Sequence, residues 1–271
     1  MNAIANAPVI ALGQFEWTIT DVIDNRESST PFIFGNLAKY SRNGEVTIVN
    51  EPTKQQKQTE APYLLEASAP FVYLPDFSGL AFLHVWNGIQ EDVFPRRFKA
   101  IIESAYDNFF VDCTVEPVAD YRAFLEKLQS LEVITELSAK VYPPNPLFGR
   151  LWGSLDKYVR RRQADEVSVR ETTSKTKGLS TQLLELIEQI LKNPQYEPSN
   201  EPDITDAALL MAADGYGTGK AMGIENGNEV VVRTSESQKS FMFDKKPDPE
   251  ALANVARISF ENISSERDMR H

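Results

Sequence analysis

Val133-Ile134-Thr135-Glu136-Leu137-Ser138-Ala139-Lys140-Val141 is the stretch whose reading decides the fold. Val133, Thr135, Leu137, Ala139 and Val141 fall on one side of an extended chain; Ile134, Glu136, Ser138 and Lys140 fall on the other. That two-residue period predicts a strand with one covered and one solvated face. Just before it, Val118, Tyr121, Phe124, Leu128 and Leu131 recur at helical spacing. Phe94, Phe98, Ile101, Ile102, Ala105 and Phe109 do the same further upstream, and a strand is expected between the two helices at 110–116. Hairpin, helix, strand, helix, strand is the order of a ferredoxin-like split β-α-β unit. Right-handed crossovers then place both helices on one sheet face. The expected fold class is α+β: an antiparallel or mixed sheet with a ferredoxin-like centre, N-terminal β-hairpins and a C-terminal helix plus hairpin.

Working outward, Phe15, Trp17 and Ile19 alternate with polar residues as in a half-buried strand. Residues 32–40 and 45–49 flank Ser41-Arg42-Asn43-Gly44, where Asn-Gly suits a tight hairpin turn. Residues 51–60 show no apolar period and read as a loop. A second hairpin, 71–74 with 80–86, turns at Asp76-Phe77-Ser78-Gly79. Asn145-Pro146 opens a helix that runs to Arg162, followed by a strand at 166–170 and a helix at 180–191. The segment 193–202 holds three prolines in ten residues and reads as a linker. A helix at 205–213 and a hairpin of 216–224 with 229–234, turning at Asn226-Gly227, come next. The expected organisation is a main domain over 1–192, the linker, a helix-hairpin module over 203–260 and a frayed, charged tail over 261–271.

Composition narrows the chemistry. Apolar residues make up 42% of the 271, enough for a packed core. The lone Cys113 cannot form an intramolecular disulfide. No secretory leader and no run of ~18 apolar residues is visible, so a cytoplasmic protein without a membrane span is expected. With 39 acidic and 28 basic residues the net charge is −11. Such a field opposes polyanions, and binding one requires a local concentration of cations. Only His84 and His271 are present, which confines His-dependent catalysis to His84. It sits in the alternating run Leu83-His84-Val85-Trp86 and reads as structural.

Gly215-Tyr216-Gly217-Thr218-Gly219-Lys220 resembles a phosphate-binding loop only superficially. Asp214 stands where the first glycine belongs, and Ala221 where a magnesium-binding hydroxyl belongs. The glycines read instead as close-packing positions in a strand. Ser154-Leu155-Asp156-Lys157 has the Ser-x-x-Lys spacing of penicillin-binding proteins, but Lys175-Thr176-Lys177-Gly178 breaks the companion Lys-Thr-Gly element. On the same helix Arg150, Ser154, Lys157 and Arg161 form a stripe opposite the apolar side, widened by Arg160 and Arg162. Such a stripe suits nucleic-acid or nucleotide phosphates, or a solvated face that complements the helix dipole. Arg96, Arg97 and Lys99 form a smaller basic group. The solvated sheet face is expected to carry Asp112, Glu116, Glu136 and Lys140, a set with which a divalent metal could activate water, or which is simply hydrated. No cofactor is otherwise expected.

The Phe32-Ile33-Phe34-Gly35 hairpin, the ferredoxin-like centre and the Asp214-Gly215-Tyr216-Gly217 hairpin together resemble uncharacterised bacterial families found beside phage-defence genes. The resemblance implies an accessory or defence role and assigns no residue. Three functions are expected to compete: nucleic-acid or nucleotide binding through the basic helix; protein association or a homo-oligomer through hairpin edges anchored by Trp17 or Trp86; and metal-dependent hydrolysis on Asp112, Glu116 and Glu136.

Overall fold

The computed structural model describes residues 2–109, 113–143, 147, 149–243, 246 and 248–269. The chain divides into two compact units, Met1–Val115 with Phe243–Arg257, and Glu116–Met242 with Ile258–His271. It is α+β, and the strands of each unit pair antiparallel.

The first unit opens with α1 (Asn2–Ala5), β1 (Ile10–Leu12), β2 (Phe15–Asp24), β3 (Ile33–Asn50), β4 (Gln55–Leu74) and β5 (Gly79–Phe82), and continues into α2 (Val93–Ser104). Its five strands form a meander in chain order. Trp17, Ile19, Ile33, Leu37 and Phe71 from the sheet bury against Phe94, Phe98 and Ile101 from α2. Phe71 meets Phe94 and Phe98 edge-on at centroid distances of 5.7 and 5.3 Å, and Phe82 stacks on Phe94 at 4.1 Å. Trp17 is 4% exposed and therefore unavailable as a surface anchor, whereas Trp86 is 77% exposed.

Two expectations in this unit are corrected. The chain does not turn at 41–44: β3 runs straight through, with Asn43 opposite Pro62 and Gly44 opposite Ala61, and the turn lies at 51–54. Gly44 is required by a close approach, since a Cβ there would stand 2.3 Å from the Leu64 Cβ and 2.7 Å from the Ala61 carbonyl oxygen. The β-branched run Val46-Thr47-Ile48-Val49 then favours continued extension. Residues 55–60, expected as loop, are the returning strand. Because β2 follows β3 only to Tyr40 and β5 follows β4 only from Phe71, residues 41–64 form a two-stranded arm.

The second unit contains α3 (Tyr121–Gln129), β6 (Val133–Val141), α4 (Gly153–Arg162) after a 3₁₀ turn at Arg150–Trp152, β7 (Val167–Thr172), α5 (Leu183–Lys192), α6 (Ile204–Met211), β8 (Gly217–Glu225) and β9 (Asn228–Arg233). The last helix, α7 (Pro249–Glu266), contributes its second half to this unit. Strand order is β7-β6-β8-β9. Leu137, Ala139, Val141, Ala221 and Val232 are buried with Phe124 and Leu128 of α3, Leu186 and Ile190 of α5, and Leu209 of α6. Gly219 permits a close approach of α6 to the sheet, since a Cβ there would lie 2.7 Å from Leu209 Cδ2. Asp120 caps α3 by accepting from the Arg122 and Ala123 amides. Asp206 of α6 accepts from the Thr181 hydroxyl at 2.6 Å and the Gln182 amide at 2.8 Å, tying α6 to the start of α5. Burial pushes the Asp206 carboxyl up from its ordinary value.

The described residues do not complete a ferredoxin-like split. Its first strand was expected at 110–116, where 113–116 are not strand and Phe110, Val111 and Asp112 lie outside the described residues. The strands that flank the α4 segment, β6 and β7, are adjacent and antiparallel, and β8 occupies the other side of β6. The β6–β8 ladder also spans the proline-rich segment, so 193–202 sits within one unit and the division of the chain falls at 115/116. The expected tail is largely the helix α7. The Asn145-Pro146 helix start lies outside the described residues.

The centre of the second unit holds a buried charged network. Asp214, 7% exposed, accepts from the Tyr121 hydroxyl at 2.8 Å, the Trp152 indole N–H at 2.7 Å and the Arg267 guanidinium at 2.7 Å. Arg267, 3% exposed, also donates to the Ala119 and Ala213 carbonyls and lies 4.0 Å from the centroid of the Tyr121 ring. Burial first, then the Asp214 charge, pushes the Tyr121 hydroxyl far up, so it stays protonated and donates.

Candidate nucleic-acid interface

The face of the second sheet opposite its helices gathers side chains that are distant in sequence. Register places Arg170 of β7 and Lys220 of β8 on either side of Ser138 of β6, and Arg233 of β9 next to Lys220. Directly opposed residues of antiparallel strands share a face, so Arg170, Ser138, Lys220 and Arg233 form one row across all four strands. At ~4.8 Å between strands the row spans about 14 Å. Ser168, Lys140 and Thr218 make the next row, and Thr172, Glu136, Met222 and Val231 the one on the other side.

Glu136 is the single carboxylate of these three rows. Arg170 donates to its Oε2 at 2.6 Å, and the Lys220 ammonium stands 3.0 Å from its Oε1. The carboxylate is 8% exposed, covered by its cationic partners rather than by core, while Arg170 remains 68% and Lys220 39% exposed. The hydrogen bond from Arg170, followed by Lys220, holds the Glu136 carboxyl below its ordinary value. Lys140 pairs with Glu166 at 2.5 Å and Arg233 with Glu236 at 2.7 Å, both at the margin of the face. Lys220 and Arg233 are like charges directly across an antiparallel pair, an arrangement that costs stability.

The sequence-expected residues separate accordingly. Glu136 and Lys140 share the solvated face, as their parity requires. Asp112 lies outside the described residues, and Glu116 lies in a non-strand segment. Glu136, ion-paired on both oxygens, cannot ligate a metal without displacing two cations, and no group of three or more His, Cys, Asp or Glu among the described residues could hold one. On the basic helix Arg150 turns to the Pro194 and Tyr196 carbonyls and Glu197, pinning the proline-rich segment. Ser154, Lys157 and Arg161 remain in that region, with Lys157 and Arg161 exposed and Arg160 paired to Asp156. Arg96 pairs with Asp92, Lys99 with Glu103, and Arg97 lies over the Trp17 ring. Sequence patterning singles out neither Arg170 nor Arg233, and Lys220 stands in it only as the last residue of the rejected phosphate-loop resemblance. The alternation in β8 carries a signal, but the sequence places that segment in a separate helix-hairpin module.

Among the described residues no helix is long and apolar enough to cross a membrane. No curated protein and no solved structure matches the chain significantly. The model of a family described as a domain of unknown function, DUF4747, matches residues 1–192, through the end of α5. That match covers well over half of the 271 residues, and the chain belongs to the DUF4747 family.

Proposed function

We propose that this protein binds nucleic acid through its phosphate backbone on the open sheet face of the second unit. The observation that carries the reading is the row Arg170–Ser138–Lys220–Arg233, three cations from three strands on one face of a chain whose net charge is −11. In an acidic molecule such a concentration supplies the local field a polyanion needs. Lys220 and Arg233 stand opposite each other, each held by one carboxylate, Glu136 and Glu236, and a phosphate arriving between them would compete with those pairs. Ser138, Ser168 and Thr218 add hydroxyl donors for phosphate oxygens. The three rows present no aromatic ring on which a base would stack, so contacts fall on the backbone and tolerate any sequence.

Fluorescence anisotropy of a labelled single-stranded oligonucleotide, titrated with the full chain at low salt, tests this reading. Binding is expected to weaken with salt. The Arg170→Ala/Arg233→Ala pair lowers affinity at least about tenfold and flattens the logarithmic salt slope by roughly 0.7 per lost contact. Absence of binding by the parent at low salt overturns it. The second reading places the contact on α4, where Lys157 and Arg161 are exposed. Loss of binding in Lys157→Ala/Arg161→Ala with an unchanged Arg170→Ala/Arg233→Ala variant moves the interface there.

A further inference from the structure

The arm of the first unit has two outer edges of different character. The β4 edge carries Lys57, Glu60 and Pro62, the charges and proline that discourage strand addition. The β3 edge beyond Tyr40 carries Arg42 and Glu45 nearer the sheet and then the uncharged run Val46-Thr47-Ile48-Val49-Asn50 with no proline, and no described strand pairs with that edge. Ile48 is 46% and Val49 67% exposed there, with Tyr63 at 67% and Leu65 at 57% nearer the sheet. A two-stranded ribbon of this length is marginal in water and gains from further strands.

Charge identifies the occupant. Residues 41–64 contain Arg42, Lys54 and Lys57 against Glu45, Glu51 and Glu60, a net charge of zero in a chain of −11. Two copies repel through most of their surface and approach without penalty at this arm. A basic partner would be drawn to the acidic surface instead. A two-fold axis normal to the ribbon aligns the β3 edges antiparallel, and opposed residues must share a face. Centred on Thr47, this alignment sets Thr47 against Thr47, Val46 against the second copy's Ile48, and Glu45 against Val49. Thr–Thr and paired β-branched residues are favourable cross-strand neighbours. Centring on Ile48 would oppose Glu45 to Glu51, and centring on Val46 would oppose Ile48 to the hole left by Gly44.

We infer that the β3 edge of the arm is the seam of a homodimer, centred on Thr47 and forming a four-stranded ribbon from two copies. The inference stands on the first unit and is independent of the nucleic-acid reading. Sedimentation equilibrium of the full chain without nucleic acid tests it. The parent is expected to reach a dimer and stop. Thr47→Lys and Thr47→Glu, at an exposed position, each weaken dimerisation at least about tenfold, because each faces its own charge across the axis. An equimolar mixture of the two recovers the parent's dimer. Gln58→Lys, the same charge on the other edge, leaves the dimer intact. A monomeric parent at its highest soluble concentration, an unrecovered mixture, or an equal loss with Gln58→Lys overturns the seam. Unchanged circular dichroism separates lost association from lost fold.

Discussion

Asp214 and Glu136 of the second unit each face an arginine, and they are opposites in their surroundings. Asp214 is sealed in the core and saturated by a tyrosine, a tryptophan and Arg267. Glu136 lies at the surface beneath Arg170 and Lys220, whose charged ends remain in water. Water makes the difference. In the core the ions have no alternative partner, so removing one leaves the other uncompensated. On the sheet face either cation can exchange the carboxylate for water or for another anion at little cost. The first arrangement locks a fold, and the second stores binding capacity.

The comparison can be broken at its strong end first. Arg267→Ala removes the cationic partner of the buried Asp214 and is expected to cost about 3–5 kcal/mol, measured by urea unfolding. A loss under about 1 kcal/mol would mean that water reaches Asp214. Trp152→Phe removes one donor to the same carboxylate and is expected to cost about 1–3 kcal/mol. At the weak end, Glu136→Gln changes stability by less than about 1 kcal/mol. It raises affinity for the oligonucleotide several-fold, because two cations lose their internal partner; an affinity that falls would make the carboxylate a positioning group instead. The smallest effect is a pH dependence. The Glu136 carboxyl is depressed by Arg170 and then Lys220, so its contribution is present above the unfolded glutamate range and disappears as pH falls through the depressed value. Parent and Glu136→Gln stabilities therefore converge in acid, and a gap that widens there would show that another group sets the trend.

The wet half of this pair was partly legible in the sequence. Alternation along Val133–Val141 puts Glu136 and Lys140 on the solvated side from chain geometry alone. Arg170, Lys220 and Arg233 join them through strand order, which no local period encodes, and the face expected to be acidic is cationic because two neighbouring strands bring lysine and arginine to it. Asn43-Gly44 misled because local turn preference and cross-strand crowding both select glycine. The helix α7 was readable in principle, since Leu252, Ala256 and Ile263 share a helical face, but the charged residues around them concealed the stripe. The buried half was not legible at all, because Asp214 and Arg267 are joined only by tertiary folding.

The sequence distance inside that buried pair has a consequence for biogenesis. Arg267 follows Asp214 by 53 residues and Ala119, whose carbonyl it also binds, by 148. At the usual pace of translation the carboxylate waits roughly 3–10 s for its counter-ion. During that interval the Asp214 site lacks its cationic partner, and the hydrogen-bond network at the centre of the second unit is incomplete. Arg267, one residue beyond α7, thus completes that network only after the helix before it has been made.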